Sequence, residues 1–293
     1  MSSQHIIDSA ISEATGKTFV TEQSRSVGGG SINLSAVICS GNSTYFLKTN
    51  HRNFADMFEA EADGLRELGK PGVIAVPDVI CTGETNNRTF IVMECISMGS
   101  GLAGSAEALG SSLAELHKVN QSQFGWFRDN TIGATKQINT ESNNWIDFYR
   151  EHRLLFQLSL AQENGYGGEL QKLGLQLCDN LESFFLDYSP APSLLHGDLW
   201  SGNYSYTDDG RPVIFDPAVY YGDREADIAM TELFGGFSPV FYQAYNDVSP
   251  LDEGYQIRIT LYNLYHILNH LNLFGSGYHS QSVGMMKQLL AEL

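Results

Sequence analysis

The chain is short of basic residues and cysteine and has no long apolar run, and each shortage removes a class of function. Lysine and arginine together number 17 against 34 aspartates and glutamates, a net charge of -17. A surface of that sign repels polyanions, so nucleic acid and anionic membrane are not expected as partners, because phosphate backbones bind to basic faces. Any phosphate handled here must be held by a few local donors together with a metal ion. No stretch approaches the roughly 18 apolar residues of a membrane span. The opening MSSQHIIDSA has neither a basic region nor an apolar core, so it does not read as a secretory signal. The four cysteines (Cys39, Cys81, Cys95 and Cys178) lack CxxC spacing. They read as reduced thiols of a cytoplasmic protein, with no structural zinc expected.

What is present suffices for one large domain or for two lobes sharing a cleft: 293 residues, 42% of them hydrophobic. The pattern predicts a short helix over 4–15, then β-rich sequence running into glycines 28–30. INLSAVICS and TYFLKTN flank a Gly-Asn turn, a hairpin signal. FADMFEAEADGLRELG sets Phe54, Met57, Phe58, Ala62, Leu65 and Leu68 at helical spacing. VPDVICTG and RTFIVMECI complete a small antiparallel sheet. A hinge is expected over about 97–105, where MGSGLAGSA is small and glycine-rich. Helices then dominate, at about 105–119, 142–163, 167–187, 224–234, 238–246, 253–273 and 278–291. Short strands are expected at 193–196, 203–206 and 212–216.

The densest chemistry lies in LLHGDLWSGN, residues 194–203. His196, Asp198 and Asn203 repeat the spacing of the protein-kinase catalytic loop, H-R-D-L-x-x-x-N. There a carboxylate receives or orients the proton of an attacking hydroxyl, and an amide oxygen five residues on reaches a metal ion. Thirteen residues past Asn203, the apolar run VIF delivers Asp216 where a second metal-binding carboxylate would stand. Asp198, Asn203 and Asp216 thus offer hard oxygen donors suited to Mg²⁺. HGD alone is an ordinary turn tripeptide. With an apolar strand on either side, Asn203 in register and Asp216 beyond, it becomes a phosphotransfer signature.

In the first third, Gly28, Gly29, Gly30 and Ser31 occupy a turn between two expected strands, where unobstructed backbone N–H groups can approach phosphate. The turn fits neither GxxxxGK[ST] nor a GxGxxG opening a helix, which excludes P-loop and Rossmann sites. Lys48 ends an apolar strand, a place where an unpaired charge is costly. Glu59 and Glu61 on the next helix can pair with it, and Glu61 is the expected partner. FIVMECI should run as a buried strand into the hinge, with backbone at Glu94 to Ile96 available to an adenine edge. His266 and His270 stand four apart on a helix, but no glutamate base or third ligand accompanies them. Packing or substrate-side hydrogen bonding is therefore expected of them rather than zinc.

These residues resemble the fructosamine kinase (ketosamine-3-kinase) family, within the larger group of aminoglycoside-phosphotransferase-like kinases. The resemblance spans nearly the whole chain and rests on GGGSIN at 28–33, FLK at 46–48, MFEAEADGL at 57–65, HGDLWSGN at 196–203, FDPAVYYGDREADIAMTELFGGF at 215–237 and LYHILNHLNLFGSGY at 264–278. It implies an α+β, two-lobed protein-kinase-like fold. Residues 1–97 would be a small antiparallel-sheet nucleotide-binding lobe with one long helix. Residues 98–293 would be a larger, mainly helical catalytic and substrate-binding lobe. It implies ATP-dependent phosphorylation, with Mg²⁺, of the 3-hydroxyl of a ketosamine, on a free amine or a glycated protein lysine, allowing deglycation. By position Asp198 is the implied base, Asn203 and Asp216 the metal ligands, and Lys48 with Glu61 the phosphate-binding pair. Gly29, Gly30 and Ser31 would cover the phosphates, and Trp200 would stand beside the substrate.

Some members carry a cysteine in the glycine-rich loop; Ser31 stands in that loop here, so redox control through it is not expected. In YYGDREADIAM, the first-turn carboxylates favour the positive end of a helix dipole. Asp227 is expected to brace the HGD turn, and Arg224 to pair with a neighbouring acid. Asp223 and Glu225 are expected near a cationic substrate amine, and His270 among the substrate-binding residues. Two rivals stand beside this reading: a kinase for an aminoglycoside, choline or other alcohol, and a kinase-like binding module without activity. A monomer is the default.

Overall fold

A computed structural model of the chain describes residues 2–28 and 32–293. The glycine-rich calls on Gly29, Gly30 and Ser31 lie outside the described residues. The N-terminal part runs α1 (Ser3–Thr15), β1 (Gln23–Val27), β2 (Leu34–Ser40), β3 (Ser43–His51), α2 (Ala55–Gly69), β4 (Val79–Glu84) and β5 (Arg88–Glu94). The strands form an antiparallel sheet in the order β1-β2-β3-β5-β4. Successive strand residues point to opposite faces, and β5 uses both. Phe90 and Val92 join Ile38, Leu47 and the Ile7 and Ile11 stripe of α1. Ile91 and Met93 meet Met57, Phe58, Ala62 and Leu65 of α2. Two helices thus clamp one sheet, and Lys48 lies on the α2 side.

The sheet is joined to the rest through β6 (Met98–Gly99), which pairs not with its chain neighbours but with Tyr206 and Thr207. Then come α3 (Ser105–Leu116), a hairpin of β7 (Asn130–Ile132) and β8 (Thr135–Gln137), α4 (Trp145–Tyr149), α5 (Phe156–Glu163) and α6 (Glu169–Asp179). Four short strands follow: β9 (Ser193–Leu195), β10 (Tyr204–Thr207), β11 (Pro212–Ile214) and β12 (Tyr220–Gly222). The chain closes with α7 (Glu225–Leu233), α8 (Pro239–Val248), α9 (Tyr255–Phe274) and α10 (His279–Ala291). The architecture is α+β: an antiparallel sheet region followed by a mainly helical remainder with its own large core.

Where the expected elements differ, the causes are local. The single helix expected over 142–163 is interrupted by a π-helical turn, Arg150–Leu155. That turn swings Arg153 into the core, where its guanidinium donates to Ile138 O and Asn139 Oδ1 and lies 4.2 Å from the Tyr220 ring centroid. The helix expected to reach 187 ends at Asp179, and a 3₁₀ turn takes its place at Leu181–Phe185. The β7-β8 hairpin and β12 have three-residue strands, too short for alternation to register.

Helices α3 and α8 pack backbone to backbone at Gly110, where an added Cβ would stand 2.2 Å from the Phe241 carbonyl oxygen. Gly110→Ala must push the two helices apart. A loss of about 2 kcal/mol or more is expected from overpacking, read as a lowered urea midpoint with an unchanged m-value.

Candidate active site

Strands β9 and β12 pair antiparallel, Leu195 opposite Tyr220, and the chain leaves β9 directly into His196-Gly197-Asp198. Gly197 is required there. Its φ is +83°, and a Cβ would stand 2.0 Å from Ala218 O. The turn is shaped from behind by Asp227 on the first turns of α7. One carboxylate oxygen accepts from His196 N at 2.7 Å and the other from Gly197 N at 2.8 Å. His117 Nε2 lies 3.2 Å from the same carboxylate, and its Nδ1 lies 2.8 Å from Tyr245 Oη. Burial works to raise the Asp227 pKa, but the His117 contact and then the backbone donors outweigh it and hold it below the usual carboxylate range.

His196 completes the turn. Its Nε2–H donates to Phe215 O at 3.0 Å, since a carbonyl can only accept, which leaves Nδ1 bare to accept Asp198 N–H at 3.3 Å. Burial keeps the ring below its ordinary pKa, so it is a neutral clamp between two segments.

The Asn203 amide nitrogen donates to Asp198 O at 2.8 Å, to Asp198 Oδ2 at 3.3 Å and to Asp216 O at 3.4 Å. Its nitrogen thus spent, Asn203 has its amide oxygen left for a cation. Asp216 follows β11 with φ +58°, the one non-glycine residue with positive φ among the described residues. That conformation costs an L-residue roughly 1–2 kcal/mol, and it turns a half-exposed carboxylate (47%) toward Lys48. Asp198 is pushed up to about 7 by burial first, then by the charges of Asp216 and Asp227, against the Asn203 hydrogen bond.

From the sheet, buried Lys48 sits opposite Ile91 and Ser35. Its ammonium donates to Glu61 Oε1 at 2.6 Å and also to Asp216 Oδ1. Burial would lower its pKa, but the two carboxylates hold it above the ordinary lysine value. Glu59 is engaged elsewhere, accepting from Thr82 Oγ1 at 2.6 Å. Glu94 ends β5 opposite Tyr45, its N–H donating to Asp78 O at 2.8 Å. Ile96 follows two residues later in the open connection toward β6.

Beside Asp198 the Trp200 indole is 38% exposed, and His270 lies half-buried on α9. Two other candidates do not join them. Asp223 and Glu225, expected to face a substrate amine, are fully buried, and this corrects the expectation. Asp223 accepts from Tyr188 and Tyr262 hydroxyls and from Glu225 N, and Glu225 takes a bidentate pair from Arg258 at 2.7 and 3.0 Å. Burial raises the pKa of both, and these partners pull it back. Among the described residues no acid pairs with Arg224 either; it donates to Tyr245 Oη and to the Ser249 and Pro250 carbonyls. The brace residues His117 and Tyr245 carry no local signal, since they lie 110 and 18 positions from Asp227 along the chain.

Residues 3–292 match the family model described as Fructosamine kinase. A Synechocystis protein described as "Probable ketoamine kinase" is 47% identical, covering 96% of this chain and 94% of its own. The chloroplastic protein-ribulosamine 3-kinase of Arabidopsis thaliana is 44% identical, covering 92% of this chain and 82% of its own. A crystal structure assigned to fructosamine-3-kinase from Haemophilus somnus superposes with a TM-score of 0.89 at 31% identity, covering 97% and 96% of the two chains. An aminoglycoside phosphotransferase in ternary complex with AMP-PNP and hygromycin B shares the fold, with a TM-score of 0.65 at 18% identity over 99% and 98% of the chains.

Asp227→Asn would set an amide N–H₂ against one of the two backbone donors. It should cost about 2–4 kcal/mol of stability, the range for a buried charged acceptor that is lost, checked by urea denaturation at pH 7. Because the folded-state pKa is depressed, the stability due to Asp227 is present above its unfolded value near 4. It is lost as pH falls through the lower folded value, so the variant should show a shallower acid destabilisation than wild type.

Proposed function

The chain belongs to the fructosamine kinase family, and we propose that it transfers the γ-phosphoryl group of ATP to the 3-hydroxyl of ketosamines through the residues gathered around Asp198. It is an ATP-dependent phosphotransferase with an alcohol acceptor. The observation that carries the residue assignment is the convergence of Asp198, Asn203, Asp216 and Lys48 from two regions of the fold within hydrogen-bonding reach of one another.

Asp198 is the base. Among the described residues no cation pairs with its carboxylate, so it can accept the sugar hydroxyl's proton as the oxygen attacks. Lys48, oriented by Glu61, holds the nucleotide phosphates. Gly29, Gly30 and Ser31 cover them, and the backbone of Glu94 and Ile96 meets the adenine. The Asn203 amide oxygen and the Asp216 carboxylate are hard donors that fit Mg²⁺, which when bound supplies positive charge to neutralise the phosphates. Trp200 and His270 stand on the substrate side. A fructosamine, a ribulosamine or a related glycated amine is the substrate class, and removal of the sugar from the amine after phosphorylation is the purpose. Residues 1–97 serve the nucleotide and 98–293 the substrate, in a cytoplasmic monomer.

The direct test supplies ATP, Mg²⁺ and a synthetic ribulose-lysine adduct and locates the phosphate by ³¹P NMR; the 3-phosphate is expected. Phosphate on another hydroxyl, or turnover of aminoglycosides but not of the adduct, overturns the assignment. Asp198→Ala should lower kcat by about 10²- to 10⁴-fold, the usual contribution of a general base, while the Kd for Mg·ATP measured by calorimetry stays within a few-fold. The pH profile gives an independent check. Protonated Asp198 cannot accept a proton, so kcat/KM should rise with unit slope through about pH 7 and level off above it. A profile flat down to pH 5 would remove Asp198 from that role.

A further inference from the structure

Helix α2 carries Glu61, and its own charge works against the place it occupies. Asp56, Glu59, Glu61, Asp63 and Glu67 stand on it against Arg66 alone. Asp198, Asp216 and Asp227 already crowd one another in the part it packs against. Like charges repel, so an acidic helix beside an acidic cluster needs cations to hold it. Among the described residues, two cations from beyond α2 and its Lys70 cap reach its carboxylates. Lys48 comes from the sheet and meets Glu61; Arg128 comes from the helical part and meets Asp56 and Asp63.

Arg128 lies in the loop just before β7, and its guanidinium forks over two turns of α2. Nη1 stands 2.5 Å from Asp63 Oδ2, and Nη2 stands 2.5 Å from Asp56 Oδ1. The other Asp63 oxygen takes Arg66, on α2 itself, at 3.1 Å. Asp56, Asp63 and Glu67 recur at i, i+7 and i+11, so one face of the helix presents all three. Glu67 accepts from Tyr221 Oη at 2.9 Å. Gly64 lets the helix lie against the segment after Asp216, for a Cβ there would stand 3.2 Å from Val219 and 3.4 Å from Pro217.

The β7-β8 hairpin beyond Arg128 grips that same segment. Asn130 Nδ2 donates to Val219 O at 2.7 Å and Gln137 Nε2 to Ala218 O at 2.9 Å, both buried. Arg128 is anchored from behind: its carbonyl accepts from Asn139 Nδ2 at 3.2 Å, and Asn139 Oδ1 accepts from buried Arg153 at 2.8 Å. At the hairpin tip a Cβ on Gly133 would stand 3.2 Å from Ile32, the residue after Ser31. One short hairpin thus touches the exit of the glycine-rich loop, α2 and the segment that carries Asp216.

We propose that Arg128 is a positioning residue for phosphoryl transfer: by tying Asp56 and Asp63 to the β7-β8 hairpin it fixes Glu61, and through it Lys48, relative to Asp216. This rests on the reading above of Lys48, Glu61 and Asp216 as partners of the nucleotide. Asp56 is 83% exposed, and an ion pair so open to water adds little to folding. Its consequence is geometric: with α2 held at two turns, Glu61 cannot swing outward and leave the Lys48 ammonium to Asp216. The planar fork of arginine suits two carboxylates, where the point charge of lysine serves one.

The test is a double-mutant cycle of Arg128→Met and Glu61→Gln, read in kcat, KM and urea midpoint, with ATP, Mg²⁺ and whichever alcohol the wild type phosphorylates. Arg128→Met should lower kcat about 5- to 30-fold, the scale of a slightly misplaced reacting group, with KM for the alcohol within about twofold. In the Glu61→Gln background the same substitution should change kcat by no more than about twofold, because the pair it acts through is already broken. Its effect on the urea midpoint should be the same in both backgrounds. Arg128→Lys should recover part of the lost kcat. Asp56→Asn combined with Asp63→Asn removes the tie from the α2 side and should reproduce the loss; it decides the matter if Arg128→Met does not fold. Unchanged kcat in either of these variants, or equal fold-losses in both backgrounds, overturns the positioning role and leaves the phosphotransferase reading standing. Wild-type kcat unmoved by Glu61→Gln overturns the Lys48–Glu61 assignment and the proposal with it. A wild type that phosphorylates no alcohol overturns the functional reading as well.

Discussion

Asp227 presents a carboxylate with almost no solvent contact, and the shape of the turn carrying Asp198 follows from satisfying it. Two backbone N–H groups of the turn and one histidine nitrogen point at that single group. A buried anion so surrounded is bought with the rigidity of everything that surrounds it. His196 and Gly197 are held by their backbones, which leaves the Asp198 side chain free of structural duty. Asp198 then sits near Asp216 and Asp227 with only the Asn203 amide to offset them, and its affinity for a proton rises accordingly. The same clustering of negative charge creates a place for cations, whether the Lys48 ammonium or a metal ion.

Lys48 joins the two regions. Its stem belongs to the five-stranded sheet, its ammonium to Glu61 on α2 and to Asp216 beyond β11. One charged tip thus bridges the sheet and the helical part across a separation of 168 residues. Strand β6 makes a second tie by pairing with β10 rather than with the sheet that precedes it. Asp216 keeps a left-handed backbone at this junction, where a non-glycine residue normally would not.

Much of this was legible in the residues themselves. The continuous apolar run of β5 and the helical spacing of α2 are local patterns, which sequence carries openly. The spacing from His196 to Asn203 and on to Asp216 is equally local, because one turn between two short strands imposes it. Other features were not legible. A π-helical turn leaves the hydrophobic period nearly unchanged, so the break at Arg150–Leu155 was invisible. Three-residue strands are too short to show a period of two.

The acidic segment at 223–227 marks the boundary most clearly. Sequence alone determined that its carboxylates would begin a helix, because the dipole and the hydrogen-bonding capacity of a first turn are local properties. It could not determine which way each would face. Burial turned Asp223 toward Tyr188 and Tyr262, gave Glu225 to Arg258, and left Asp227 to the turn. Those partners lie 30 to 40 positions away along the chain, and only packing brings them within hydrogen-bond distance. The tie from Arg128 to α2 has the same origin. Its members lie 65 and 72 positions apart along the chain and meet only when the β7-β8 hairpin packs beside the helix.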